Sequence, residues 1–250
     1  MGAWRGEDEC GETAAIAERV RVVRTRIANA AAGAARPADA VRLVAVTKTV
    51  SAARVAAVIA AGVTDVGENY VQEARAKIPA VAALTNTEVT WHLIGHLQRN
   101  KAKYCAGLFS LIQSVDNYQL AQELGRQTMK QGKTQPVLVE VNLAELPERS
   151  GVRPNDALTL CEQVAAIPGL ALRGLMGMAP FFAEGGSPAR PYFARLRGLF
   201  EQLEPDNRQT LSMGMSGDFE AAIAEGATLV RVGTALFGKR DDLSGSIKGG

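Results

Sequence analysis

Lys48 stands at the end of an apolar run, Leu43-Val44-Ala45-Val46-Thr47-Lys48. By the two-residue period of a strand, Val44, Val46 and Lys48 share one face and Leu43, Ala45 and Thr47 the other. Lysine is rarely buried without a partner, so an ammonium in this place has two readings. It snorkels into water at the strand end, or it enters a pocket as an amine nucleophile that forms a Schiff base with a carbonyl compound. A second stretch, Leu211-Ser212-Met213-Gly214-Met215-Ser216-Gly217-Asp218-Phe219-Glu220, runs from a strand through small residues into a helix expected to start at Ser216. Free N–H groups in a first helical turn, together with the positive end of the dipole, bind anions, and Ser216 adds a hydroxyl. Further on, Arg231-Val232-Gly233-Thr234 closes another strand. Gly233 lets a ligand approach the backbone, and Thr234 supplies a second hydroxyl. The plain alternative is an ordinary helix cap beside an ordinary strand end. Arg231 alternates with Val230 and Val232 and points away from both. It either makes a salt bridge or donates a hydrogen bond to the ring nitrogen of a bound cofactor.

These residues need elements to hold them. Strand patterns are expected at 43–48, 64–67, 90–95, 108–114, 136–142, 170–176, 210–213 and 228–232. Helical stripes fall between them. A helix over 14–32 comes first, and Ser51 caps the next, which Gly62 stops. Val71, Ala74 and Ile78 mark a helix broken at Pro79, and a basic helix covers about 97–105. Asp116-Asn117 caps a helix bearing Leu120 and Leu124, Pro154 opens another, Phe193 and Leu196 mark the next, and Ser216 caps the last. Strands separated by helices argue for a parallel sheet, and eight such units argue for an α/β protein built as a single (β/α)8 TIM barrel. An open doubly wound sheet is the alternative, but no strand leads into a G-x-G-x-x-G turn or a phosphate loop ending in Gly-Lys-Ser/Thr. The expected organisation is one barrel over 12–238, with loose tails at 1–11 and 239–250. Barrel chemistry sits at the C-terminal strand ends, and a phosphate often lies between the loops after strands seven and eight. That mouth collects Lys48, Asn69, His96, Asn142, Met178, Ser216, Gly233 and Thr234. An amine, a phosphate cradle and an arginine donor in one mouth suit pyridoxal 5′-phosphate (PLP).

Composition narrows the alternatives. The 250 residues are 47% hydrophobic and 22% charged, with a net charge of +2. That balance gives no general attraction to nucleic acid or to a membrane. Cys10, Cys105 and Cys161 fit neither a disulfide framework nor a zinc spacing, which suits a reducing cytoplasm. No run approaches the roughly 18 apolar residues of a membrane span. His92 and His96 bracket a strand end and do not share a helical face, so no metal site is expected. Arg99, Lys101 and Lys103 read as a solvated helix face with no aromatic platform for RNA, although Lys101 lies near the mouth. The stretch 181–191 is either a mobile lid or a plain surface loop.

The motifs resemble those of the pyridoxal phosphate homeostasis family over nearly the whole chain. The resemblance is carried by Val44-Ala45-Val46-Thr47-Lys48, Gly67-Glu68-Asn69-Tyr70-Val71-Gln72-Glu73, Trp91-His92-Leu93-Ile94-Gly95-His96-Leu97-Gln98 with Asn100-Lys101, Arg173-Gly174-Leu175-Met176, and 211–238. Thr49-Val50-Ser51 and Met178-Ala179-Pro180 depart from the usual pattern at the rim. The resemblance implies a barrel similar to the N-terminal domain of alanine racemase, with PLP held as an aldimine on Lys48. It implies phosphate binding by Ser216, Gly233, Thr234 and the backbone near Met215, with Arg231 at the pyridine nitrogen and Asn69 lining the site. The expected role is a monomeric, cytoplasmic PLP carrier in vitamin B6 homeostasis, without turnover of its own, that hands PLP to apo PLP-dependent enzymes. A PLP-dependent amino-acid racemase is the alternative. Against it, the chain ends soon after the last strand, where a racemase would continue into a second domain. An arginine, which keeps its charge, is also a poor proton source for the ring nitrogen.

Overall fold

The computed structural model describes residues 4–180, 182 and 187–238, with side chains at 11–180, 182 and 188–238. Eight strands close into a parallel barrel in sequence order. They are β1 (Arg42–Val46), β2 (Asp65–Glu68), β3 (Thr90–Leu93), β4 (Leu111–Val115), β5 (Gln135–Val141), β6 (Leu170–Gly177), β7 (Thr210–Ser212) and β8 (Leu229–Val232). The helices are α1 (Trp4–Gly33), α2 (Ala52–Ala60), α3 (Val71–Ala82), α4 (Tyr118–Met129), α5 (Ala157–Ala165), α6 (Arg190–Phe200), α7 (Phe219–Ala224) and α8 (Thr234–Phe237). Between β3 and β4 the connection is a 3-10 helix, Arg99–Tyr104, where an α-helix was expected.

The strand pattern explains both layers of the core. Outward residues such as Ala45, Val66, Leu93, Ile112, Val139, Leu211 and Val230 join the helices in one large apolar cluster. A separate cluster, Leu111, Leu138 and Met176, comes from alternate positions facing the barrel axis. Helix α1 presents Ile16, Val20, Val23, Ile27 and Ala31 at spacings of three and four, all buried. Its start at Trp4 corrects the expectation of a loose tail over 1–11, since the backbone is helical from residue 4. Pro79 does not break α3, which continues to Ala82. Pro79 and Arg75, whose carbonyl loses its helical donor, both lie on the exposed face, so water can satisfy that carbonyl. The expected tail at 239–250 and residues 181 and 183–186 of the expected lid lie outside the described residues.

Candidate functional site

Lys48 does not belong to β1. The strand ends at Val46, and Lys48 sits in a tight turn that the Val50 N–H closes on the Thr47 carbonyl at 3.0 Å. Thr49, the next residue, has φ +63°, in the left-handed region that a β-branched residue seldom adopts. The surroundings hold this turn from below. Lys77 of α3 is 8% exposed, and its Nζ donates to the Thr47 carbonyl at 2.6 Å, to Glu68 Oε1 at 2.6 Å and to Glu73 Oε1 at 2.7 Å. Glu73 Oε1 also accepts from the Thr49 N–H at 2.6 Å, and Glu68 Oε1 accepts from the Thr47 hydroxyl at 2.6 Å. Burial pushes the Glu68 carboxyl up, while Lys77 and Thr47 pull the other way. The half-buried lysine thus stands on a turn tied by backbone and side chain to β2 and α3.

β1 pairs with β8 on its other side, Val44 opposite Arg231 and Ala45 opposite Val232. Gly233 follows at the end of β8. A Cβ there would lie 3.4 Å from Val46 Cβ, so Gly233 passes close to the strand that leads to Lys48. Arg231 points into the barrel and is 3% exposed. Its Nη1 donates to Ser212 Oγ at 2.5 Å and its Nη2 to the Gly177 carbonyl at 3.0 Å. These bonds use two of the five guanidinium donors. Burial lowers the Arg231 pKa to about 10, with Glu140 and Asp218 opposing, so the group stays charged at neutral pH.

The loop expected to cradle a phosphate has a different local structure from the one expected. Helix α7 starts at Phe219, not at Ser216, and Asp218 precedes it. Residues 215–218 form a turn instead, because the Asp218 carboxylate accepts from the Met215 N–H at 2.6 Å. Gly214, at φ +93°, packs so closely on α7 that a Cβ would fall 2.6 Å from Ala222 Cβ. The Ser216 hydroxyl accepts from the backbone N–H groups of Gly233 and Ala235, at 3.3 Å each. The donors that converge here therefore come from the start of α8, and Ser216 meets Gly233 across the two loops. Thr234 is exposed on the same rim. The Met215 N–H is already engaged, and nothing in the sequence singled out Ala235.

On the opposite side, Asn69 follows β2, and its Oδ1 is buried without a hydrogen-bond partner. Gly95 allows this crossing, since a Cβ there would lie 2.4 Å from the Asn69 carbonyl oxygen. A 440 Å³ groove beside it is lined by Asn69, Tyr70, His96, Gln98 and Lys101 among others. His96 Nδ1 lies 3.3 Å from Asp116 Oδ2. Two more buried oxygens lack a partner near the mouth, Glu140 Oε2 and Asn142 Oδ1. Buried polar atoms are normally bonded, so these oxygens mark polar positions at the mouth, and the spare donors of Arg231 fit an acceptor such as the ring nitrogen of PLP. Among the described residues no group of three His, Cys, Asp or Glu is placed to hold a metal. Cys105 and Cys161 are buried thiols that burial pushes up to about 12, which makes them inert.

Residues 13–241 match the family model described as alanine racemase, N-terminal domain. A Pseudomonas aeruginosa protein named pyridoxal phosphate homeostasis protein is 45% identical over 226 residues, covering 90% of this chain and 96% of that protein. Among solved structures, a protein from Bifidobacterium adolescentis superposes with a TM-score of 0.85 at 36% identity, covering 91% of this chain and 96% of the other. PipY of Synechococcus elongatus, with PLP bound, superposes with a TM-score of 0.75 at 36% identity, covering 89% and 100%.

Proposed function

Because the chain belongs to the pyridoxal phosphate homeostasis proteins, within the family of the alanine racemase N-terminal domain, we propose that it binds PLP at the mouth of its barrel through Lys48. The observation that carries this reading is that Lys48 follows directly on β1, while the adjacent β8 carries Arg231 opposite Val44 and leads into Gly233 beside Val46. Bound PLP supplies an electrophilic aldehyde and an electron-withdrawing ring. Lys48 would hold that aldehyde through its amine, as a Schiff base. Arg231 donates to the ring nitrogen and keeps its own proton. Ser216, Gly233 and Thr234 face the phosphate, and the Met215 N–H joins them only when Asp218 releases it. Asn69 lines the side opposite the phosphate. The decisive experiment adds PLP to the wild type and to Lys48→Ala. The wild type gains an absorbance band in the visible-violet region that borohydride removes, and the variant does not. An unchanged band in Lys48→Ala overturns the lysine assignment.

The chain holds and releases the coenzyme without turning over a substrate of its own. Arg231 supports this side of the choice, because a ring nitrogen that is not protonated withdraws electrons less strongly. The protein works as a cytoplasmic monomer and passes PLP to apo PLP-dependent enzymes; no described helix is long and apolar enough to cross a membrane. PLP-loaded protein incubated with L-alanine is expected to yield no D-alanine by chiral chromatography. Turnover above about 1 s⁻¹, the low end of ordinary enzymes, makes it a racemase instead.

A further inference from the structure

Six polar side chains inside the barrel are joined in one line. From the mouth downward, Arg231 Nη1 meets Ser212 Oγ at 2.5 Å, and Ser212 Oγ meets Gln113 Oε1 at 2.6 Å. Gln113 Nε2 lies 3.1 Å from His92 Nδ1, and His92 Nε2 lies 2.8 Å from Asp65 Oδ1. Arg42 closes the line on the same Asp65 oxygen. His92, Gln113 and Ser212 are fully buried.

Elementary chemistry fixes the direction of every bond. A guanidinium only donates, so Ser212 Oγ accepts from Arg231 and gives its single proton to the Gln113 oxygen. The Gln113 amide nitrogen only donates, so His92 Nδ1 carries no proton. The His92 proton therefore sits on Nε2 and is donated to Asp65. Burial raises the Asp65 carboxyl, but His92 and Arg42 outweigh it and hold the pKa below the ordinary range, so the acceptor is ionised. Flipping the Gln113 amide leaves the Ser212 proton without an acceptor. Only one arrangement satisfies all the groups.

We infer that Ser212, Gln113 and His92 are positioning residues that lock the Arg231 guanidinium in place as a donor toward the ring nitrogen of PLP. This inference rests on the PLP reading. The line leaves Arg231 one fixed partner on its inner side, so its remaining donors keep one aim.

The test has a readout on the ligand-free protein and one on binding. The chain has two histidines, so nitrogen-15 NMR of the imidazoles separates His92 from His96. His92 is expected with Nδ1 bare and Nε2 protonated; a proton on Nδ1 overturns the inference. Binding is then compared for PLP and for its 1-deaza analogue, in which C–H replaces the ring nitrogen. Gln113→Leu is expected to weaken PLP about tenfold, the effect of one misaimed hydrogen bond to a charged group, and to leave the analogue unchanged. Equal losses for both ligands, or no loss for PLP, make the line merely structural and overturn the proposal. Ser212→Ala, a smaller change, repeats the comparison if Gln113→Leu does not fold. A wild type that binds neither compound overturns the PLP reading itself, whereas a wild type that prefers PLP beside a variant with equal losses overturns only the line.

Discussion

Glu140 is a carboxyl with one settled oxygen. Its Oε1 accepts from Ser150 Oγ at 2.9 Å, and its Oε2 has no partner. Burial pushes its pKa above the ordinary glutamate range, Asp116 adds to this, and Ser150, Arg231 and His96 oppose it. Folding thus favours the protonated form. The favourable contribution is complete below the unfolded pKa of about 4.3 and is lost as pH rises through the higher folded value. Glu140→Gln keeps the acceptor and cannot ionise. Its urea midpoint is expected to fall less than that of the wild type as pH rises from 5 to 8, with the two curves closest at low pH. Parallel curves mean that Glu140 is charged and satisfied in the folded protein. At this scale the sequence was legible where a residue type is unusual for its setting. A lysine ending an apolar strand and an arginine between two valines stand out. Gln113 and Ser212 do not, because polar residues of moderate size occur on any strand, and their bonding across the axis depends on barrel closure. His92 was weighed as a metal ligand and set aside, yet its ring is a middle member of the buried line.

The Thr47–Val50 turn owes its shape to α3. Lys77 satisfies two carboxylates and a carbonyl at once, and an ion pair so buried leaves an uncompensated charge when one partner goes. Lys77→Met is expected to cost about 3 kcal/mol in urea unfolding. Adding Glu68→Leu should recover much of that loss, since it removes the stranded carboxylate. A loss below about 1 kcal/mol for the single change would place the cluster among ordinary surface pairs. The elements themselves were legible from periodicity, most with ends shifted by one to three residues, while the first helix extends ten residues beyond its expected start. The shifts have local causes. The β4 strand begins at Leu111 rather than Leu108, after a turn closed by the Leu108 N–H on the Cys105 carbonyl. Ser216 has the side chain of a helix cap, but the Asp218 carboxylate takes the neighbouring N–H and moves the helix start to Phe219. Both residues are good capping types, and only the tertiary contact of Ser216 with Gly233 and Ala235 decides between them.

Alternation of strands and helices made the whole barrel legible, since eight apolar strands in a row leave few other closed solutions. The extra helix α1 was expected, but its role was not. It packs on α2, α7 and α8, so it bridges the first and last units of the ring. Ile16, fully buried on its inner face, tests that role. Ile16→Ala is expected to lower stability by about 3 kcal/mol, with a single urea transition followed by tryptophan fluorescence. Two transitions instead would show that α1 folds apart from the barrel. The polar line inside the wall carries one more consequence. Its members come from β1, β2, β3, β4, β7 and β8. A one-residue slip of β3, β4, β7 or β8 turns its buried polar side chain outward and leaves its neighbours unbonded in a dry interior. The ring therefore proofreads its own assembly: a wrongly aligned closure is penalised, and only the native alignment completes the line from Arg42 to Arg231.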